Sequence, residues 1–362
     1  MELYYADRVF NGEEWLYDQV VLVSDGKVID VVAAGTISEK PAKKYPIIAP
    51  AFMDIQIYGA YGKLLAVYPE ADSLHKLYDY CRRGGASHFQ PTVATNAKEV
   101  FFACIDAVKA YWKEGGKGCI GLHVEGPWLH PVRKGAHIES LIHPPSVEEA
   151  RELLEYGKGV ITMITLAPEV CSQQVIDLVR SYGVVVSAGH SNATYEEATA
   201  AFNKGIPAAT HLYNAMSPLQ HRAPGIVGAV FDHPKVMASI VPDGFHVDFA
   251  AIRIAKKIMQ QRLFVITDAV TETNDGQYAH HLVGNRYESN GILSGSALTM
   301  AQSARNLVEK AGIEPAEALR MVSLYPAQVM NKAHTMGRIA KGYDANLVML
   351  DDSLEVQEMV TT

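Results

Sequence analysis

One glutamate, two histidines and one aspartate stand near the ends of four separate strand-like runs. They are Glu125 in CIGLHVEGPWL, His190 in VVVSAGHSN, His211 in AATHLYNAM and Asp268 in LFVITDAV. Each run is rich in β-branched and apolar residues and breaks into polar or glycine-containing sequence beside the charged group. A glutamate with two imidazoles is a ligand set for Zn²⁺ or Fe²⁺ that leaves a position open to water. Asp268, left over, suits the task of taking that water's proton and passing it on. The chemistry these residues spell out is metal-assisted hydrolysis. Small residues beside the histidines, such as Ala188 and Gly189, are expected to leave space for an ion and a ligand.

Each residue alone has a plainer meaning. A strand-end glutamate can be ordinary surface, a lone histidine is more often a hydrogen-bonded core residue, and Asp268 suits a helix N-cap. Two histidines at equivalent places on neighbouring strands, with a carboxylate on a third, shift the balance towards a metal. His246 in PDGFH, His137 in KGAH and Arg222 in HRAPG follow the seventh, third and sixth strand candidates. As a group they bring donors and positive charge to a mouth of carboxylates, which suits a phosphorylated or oxygen-rich substrate. Arg222 is the strongest phosphate candidate, because its planar fork binds anions bidentately.

Residues a hundred positions apart share a site only if the fold gathers strand ends. Eight strand candidates run from IIAPAFMDIQIYG to LFVITDAV, and between them lie stretches with apolar residues at three- and four-residue spacing. That count predicts an α/β fold, a (β/α)8 TIM-like barrel whose C-terminal strand ends converge on one mouth. A doubly wound sheet has fewer strands, and no G-x-G-x-x-G follows the first one here. Residues 1–49 read as short strands with tight turns, and residues 336–362 have the same character. A small β-sandwich domain built from both termini is therefore expected, beside a catalytic barrel over residues 50–335.

Bulk properties exclude several other classes. The formal net charge of −8 offers no footprint for nucleic acid and no polybasic membrane patch. Cys81, Cys104, Cys119 and Cys171 form no C-x-x-C pair, so reduced thiols are expected. The polar start MELYYADRVFNGEEW argues against a signal peptide, and no apolar run is long enough to span a bilayer. A soluble cytoplasmic protein is the expectation.

The motifs together resemble the amidohydrolase superfamily and, within it, the N-acetylglucosamine-6-phosphate deacetylases. The resemblance rests on PAFMDIQIYGAYG, HVEGPW, KGAH, AGHSNA, THLYNAM, HRAPG, PDGFH, TDA, SGSALTM and GRIAKGYDANLVMLD, nearly end to end. It implies one divalent ion per subunit, Zn²⁺ or Fe²⁺, on Glu125, His190 and His211, with Asp268 as general base and acid. It implies substrate contacts from His137 and His246, and phosphate contacts from Asn214 and the backbone at Ala215. It also implies a homodimer in which Arg222 reaches the phosphate in the neighbouring subunit's site. The activity implied is deacetylation of N-acetylglucosamine 6-phosphate to glucosamine 6-phosphate and acetate, in amino-sugar catabolism. One departure stands out. Many superfamily members carry His-x-His at the end of the first strand and use it for a second metal. That position reads here as Asp54-Ile55-Gln56, and the Gln56 amide is a poor ligand, so one ion is expected.

Two rivals differ in what they require. Cyclic amidases and amino-acid deacylases of the superfamily usually keep His-x-His and often a bridging lysine on the fourth strand. VITMITLAPE has no lysine. A barrel that only binds a ligand would be expected to have lost a metal ligand or the shuttle aspartate, and all four residues are present.

Overall fold

The computed structural model describes residues 1–38, 43–289 and 291–362. The eight predicted strands form one sheet: Phe52–Ile57, Ala86–Ala94, Leu122–Glu125, Ile161–Leu166, Val185–Ala188, Ala208–Ala209, Met237–Ile240 and Leu263–Val265. Neighbours in the sheet pair in parallel, in sequence order. The sheet closes where Ile57 bridges Ala269 and the Asp268 N–H donates to the Gln56 carbonyl at 3.0 Å. The fold is a (β/α)8 barrel, and its closing hydrogen bond lies on one of the residues singled out for chemistry.

Strand alternation sorts the side chains. On the third strand Leu122 and Val124 join the apolar core under the helices. His123 and Glu125, on the other face, point into the barrel, where both find polar partners. Helices fill the outer layer and start where the sequence offers caps. Ser146, Ser172 and Thr194 each accept from a backbone N–H in the first turn, and Thr194 with Glu197 makes a full capping box.

Both chain ends enter one six-stranded sheet, with Leu347–Leu350 hydrogen-bonded to Lys44–Pro50. Its strands also alternate. Leu347 and Met349 pack in a cluster with Val9, Val21 and Ile48, whereas Val348 and Leu350 pack into the barrel core. One strand thus serves two cores, which ties the terminal sheet to the barrel.

Two elements escape the sequence patterns. Gly225–Asp232 is a helix that begins three residues after Arg222. It is buried from Gly225 to Phe231, so it shows no polar face for a periodicity argument to find. A three-stranded antiparallel sheet, His281–Val283, Arg286–Ser289 and Ile292–Ser296, follows the eighth barrel strand. Cys81, Cys104, Cys119 and Cys171 are free cysteines, the first two buried. Among the described residues no helix is long and apolar enough to cross a membrane.

Candidate metal centre and active site

The predicted residues converge on one cavity at the C-terminal end of the barrel. Glu125, His137, His190, His211, Asn214, Ala215, His246 and Asp268 all line it. Four of them have an unusual backbone. His190 has φ 48, His211 φ 38, Ala215 φ 50 and Asp268 φ 53. A left-handed backbone at a non-glycine residue costs on the order of 1–3 kcal/mol and persists only where surroundings enforce it. Here they do. The His190 carbonyl accepts from His130 N–H at 2.9 Å, Ser239 Oγ accepts from His211 N–H at 2.7 Å, and the Asp268 carbonyl accepts from Ser296 N–H at 3.0 Å. Each strand stops abruptly, and the turn swings its last functional side chain inward.

Three donor atoms meet in a triangle. His190 Nε2 and His211 Nε2 are 3.0 Å apart, and they lie 3.4 Å and 3.1 Å from Glu125 Oε1. In a tetrahedral site with bonds of about 2.0–2.1 Å, neighbouring donor atoms stand about 3.3 Å apart. The triangle therefore fits a single tetrahedral ion. Gly135 lies against it, and a Cβ there would come within 3.3 Å of His190 Cε1. Gly189 does something other than expected. Its missing Cβ makes room for Thr165 and Thr210, at 2.7 Å and 3.0 Å, so it serves barrel packing rather than an ion.

The histidines differ in which nitrogen is committed. His190 Nδ1 sits 2.9 Å from the Arg133 carbonyl, which can only accept. Nδ1 therefore carries the proton, and the Nε2 lone pair is free for a metal. His137 is the reverse. Its Nδ1 accepts from the Thr95 N–H at 3.3 Å, so in the neutral ring Nε2 carries the proton and donates to Glu125 Oε2 at 3.2 Å. Donor atoms of Glu125, His137 and His190 also lie within 4.8 Å of one another. The tautomer of His137 nevertheless makes it a hydrogen-bond donor to Glu125, and His211 Nε2 is the other imidazole nitrogen that faces Glu125 Oε1. His211 Nδ1 has no hydrogen-bond partner among the described residues.

Burial and neighbouring charges act differently on these groups: burial opposes charge on His211, and the Glu125 and Asp268 carboxylates nevertheless raise its pKa. Burial opposes charge on Glu125, but contacts with His137, His190 and His211 outweigh it and hold the carboxyl well below its ordinary range. Burial, with His137 beside it, pushes His190 down to about 4, so it stands neutral, as a ligand must. Burial raises Asp268 above the ordinary carboxylate value, in the direction a general base working near neutrality needs. Gln56 Nε2 bridges the two carboxylates, at 3.1 Å from Glu125 Oε1 and 2.9 Å from Asp268 Oδ1.

The residue paired with Gln56 is not Asp54. Asp54 lies one layer deeper, where it accepts from the N–H groups of Thr267 at 3.2 Å and Gln56 at 3.3 Å. Tyr58, two residues beyond Gln56 on the same face, is at the mouth, and its hydroxyl donates to Glu125 Oε2. The strand period of two, counted forward from Gln56, was the signal that could have found it. Tyr278 and His280 also line the cavity. They come from a stretch with no periodicity to mark them. Arg222 does not line the cavity. It sits exposed in a tight turn closed by hydrogen bonds between Gln220 and Ala223, at 3.1 Å and 3.2 Å.

The barrel, the histidine–carboxylate mouth and the sequence together place the chain: it belongs to the amidohydrolase family, whose model matches residues 47–361. Among its relatives is the N-acetylglucosamine-6-phosphate deacetylase of Haemophilus influenzae, 33% identical, with 96% of this chain and 94% of the relative covered. The N-acetylgalactosamine-6-phosphate deacetylase of Escherichia coli O157:H7 is 31% identical, over 98% and 96%. A crystal structure of N-acetylglucosamine-6-phosphate deacetylase from Pasteurella multocida superposes with a TM-score of 0.93 at 31% identity, over 99% and 98% of the two chains.

Proposed function

We propose that this chain hydrolyses the acetamide of N-acetylglucosamine 6-phosphate, releasing acetate and glucosamine 6-phosphate. The observation that carries the reading is the triangle of Glu125, His190 and His211 with a raised carboxylate, Asp268, one amide away. The names of its relatives support the sugar phosphate.

Glu125, His190 and His211 hold one divalent ion, Zn²⁺ or Fe²⁺. When bound, such an ion acidifies a water and polarises a carbonyl oxygen. The chain's own residues do the rest. Asp268 accepts the proton of the attacking water and returns it to the amine as the C–N bond breaks. His137, whose Nε2–H is fixed as a donor to Glu125 Oε2 by the Thr95 N–H on its other nitrogen, lines the cavity and contacts the substrate. His246 faces Asp268 across the cavity, with 3.7 Å between Nε2 and Oδ2, and contacts the substrate. Asn214 and the Ala215 backbone hold the phosphate. Arg222 completes the phosphate site of a neighbouring subunit in a homodimer, which accounts for an exposed guanidinium outside its own cavity. A terminal β unit over residues 1–49 and 336–362, a catalytic barrel over 50–335 and a cytoplasmic setting belong to the same proposal.

A second reading has its own support. The galactosamine-type relative is nearly as similar as the glucosamine-type one. The test is acetate release from both N-acetylhexosamine 6-phosphates and from unphosphorylated N-acetylglucosamine. The proposal expects the 6-phosphate gluco substrate to be fastest, with activity lost on chelation and restored by Zn²⁺ or Fe²⁺. A faster galacto substrate would support the second reading, and no acetate from any of them would sink both.

A further inference from the structure

A carboxylate that the reaction does not touch is buried behind the site. Asp243 lies on the loop after the seventh barrel strand, with its side chain 2% exposed. One of its oxygens, Oδ1, accepts from the N–H groups of Phe245 at 2.8 Å and His246 at 2.7 Å. That turn needs a single acceptor, which asparagine or serine also supplies. The second oxygen, Oδ2, is 2.6 Å from His246 Nδ1. No other ion pair involves Asp243 among the described residues. Burying a carboxylate is costly unless it is paired, so the second oxygen needs a reason beyond the turn. Burial works against the Asp243 charge, and the bond to His246 overcomes it and keeps the acid below its ordinary value.

The far side of the same ring supplies the reason. His246 Nε2 looks into the cavity, 3.7 Å from Asp268 Oδ2, too long for a hydrogen bond and short enough for a substrate group to be held by both. The imidazole stands between two carboxylates. One is buried and fixed, and the other is the proposed proton shuttle.

We propose that Asp243 is a positioning residue. It binds the His246 Nδ1 proton and so sets which face His246 shows the cavity. With Asp243 in place, the neutral ring carries its proton on Nδ1 and presents the Nε2 lone pair to the cavity, where a substrate donor can meet it. Asparagine would reverse this. Its oxygen would keep the two backbone N–H groups, its NH₂ would face Nδ1, and the ring proton would move to Nε2. The carboxylate–histidine pair thus selects one tautomer, as it does wherever a buried acid backs a working imidazole.

The test has two arms. In histidine-¹⁵N-labelled protein at alkaline pH, two-bond ¹H–¹⁵N correlations report the tautomer of each ring. The signal that disappears in His246→Gln identifies His246. Wild type should show the proton on Nδ1, and Asp243→Asn should show it on Nε2. In the kinetic arm, Asp243→Asn should lower kcat about 10–100-fold, the usual effect of removing a partner that orients a histidine. Metal content should be unchanged. Added to His246→Gln, the same change should cost less than about twofold more, because its effect runs through the ring. A wild-type ring protonated on Nε2 overturns the proposal even if Asp243→Asn does not fold. So does an unchanged tautomer in the variant, or losses that multiply in the double variant. The kinetic arm rests on the proposed deacetylase reading and the tautomer arm does not, so a wild-type protein that releases no acetate would refute that reading and leave this one testable.

Discussion

His123 and Glu125 sit two residues apart on one strand face, and their surroundings could hardly differ more. His123 is fully buried in the barrel floor, where its Nε2 is 2.8 Å from Thr165 Oγ1. Thr165 meets Thr210 at 2.8 Å, and Thr210 meets Ser187 at 2.6 Å. These partners are hydroxyls, which can both donate and accept, and the Ile55 backbone adds a further hydrogen bond to His123. One layer up, carboxylate and imidazole atoms face one another with too few protons and too many lone pairs. Two imidazole nitrogens stand 3.0 Å apart, and both face Glu125 Oε1. The floor meets His123 with protein groups, whereas the mouth gathers lone pairs in an arrangement that suits a cation. Burial alone does not mark a functional histidine, but what faces its nitrogens does.

The contrast breaks first at Asp268. It sits in the mouth but outside the donor triangle, so Asp268→Asn should fold, keep metal and lose about two to four orders of magnitude in kcat, the range for general acid–base groups. Near-native turnover would mean that another group moves the proton.

Arg222 lies in neither region. In the proposed dimer, Arg222→Ala should lower kcat/KM for the 6-phosphate by about one to two decades, as expected for a charge-assisted pair worth roughly 1.5–3 kcal/mol. The unphosphorylated sugar should be little affected. Mixing Arg222→Ala with Asp268→Asn should restore some activity, because one site of the hybrid has both residues intact. Activity at parental level, with hybrids confirmed by mass, would confine Arg222 to its own chain.

The floor should answer in stability rather than in activity. Burial pushes His123 down to about 4, against about 6.5 in an unfolded chain. Between those values the unfolded chain binds more protons. The stability that depends on a neutral ring is therefore present above about pH 6.5 and is lost as pH falls towards 4. This contributes at most about 3 kcal/mol. Denaturant midpoints between pH 6.5 and 4 should fall less steeply for His123→Gln than for wild type. Equal slopes would remove His123 from the acid response.

The sequence made the frame legible because a barrel repeats one pattern. Apolar strands and amphipathic helices alternate at even spacing, and a charge at a strand end has only one mouth to enter. Glu125, His190, His211 and Asp268 could be read that way. What stayed hidden lacks a period. The helix Gly225–Asp232 is buried from Gly225 to Phe231, and His280 and the sheet that follows it, with Leu293 and Ser294, reach the cavity from a stretch with no alternating pattern. Tyr58 was missed for a different reason, since the pair at the end of the first strand was counted two residues too early. Which nitrogen of each histidine is committed depends on carbonyls and N–H groups such as those of Arg133 and Thr95, which no side-chain pattern reports.

The most direct measurement is metal content per chain, by elemental analysis, in three variants purified alongside wild type. The account predicts one divalent ion in wild type, one in His123→Gln, and near-complete loss in His190→Ala and His211→Ala. Full occupancy in either alanine variant, or loss in His123→Gln with the fold intact, would contradict it.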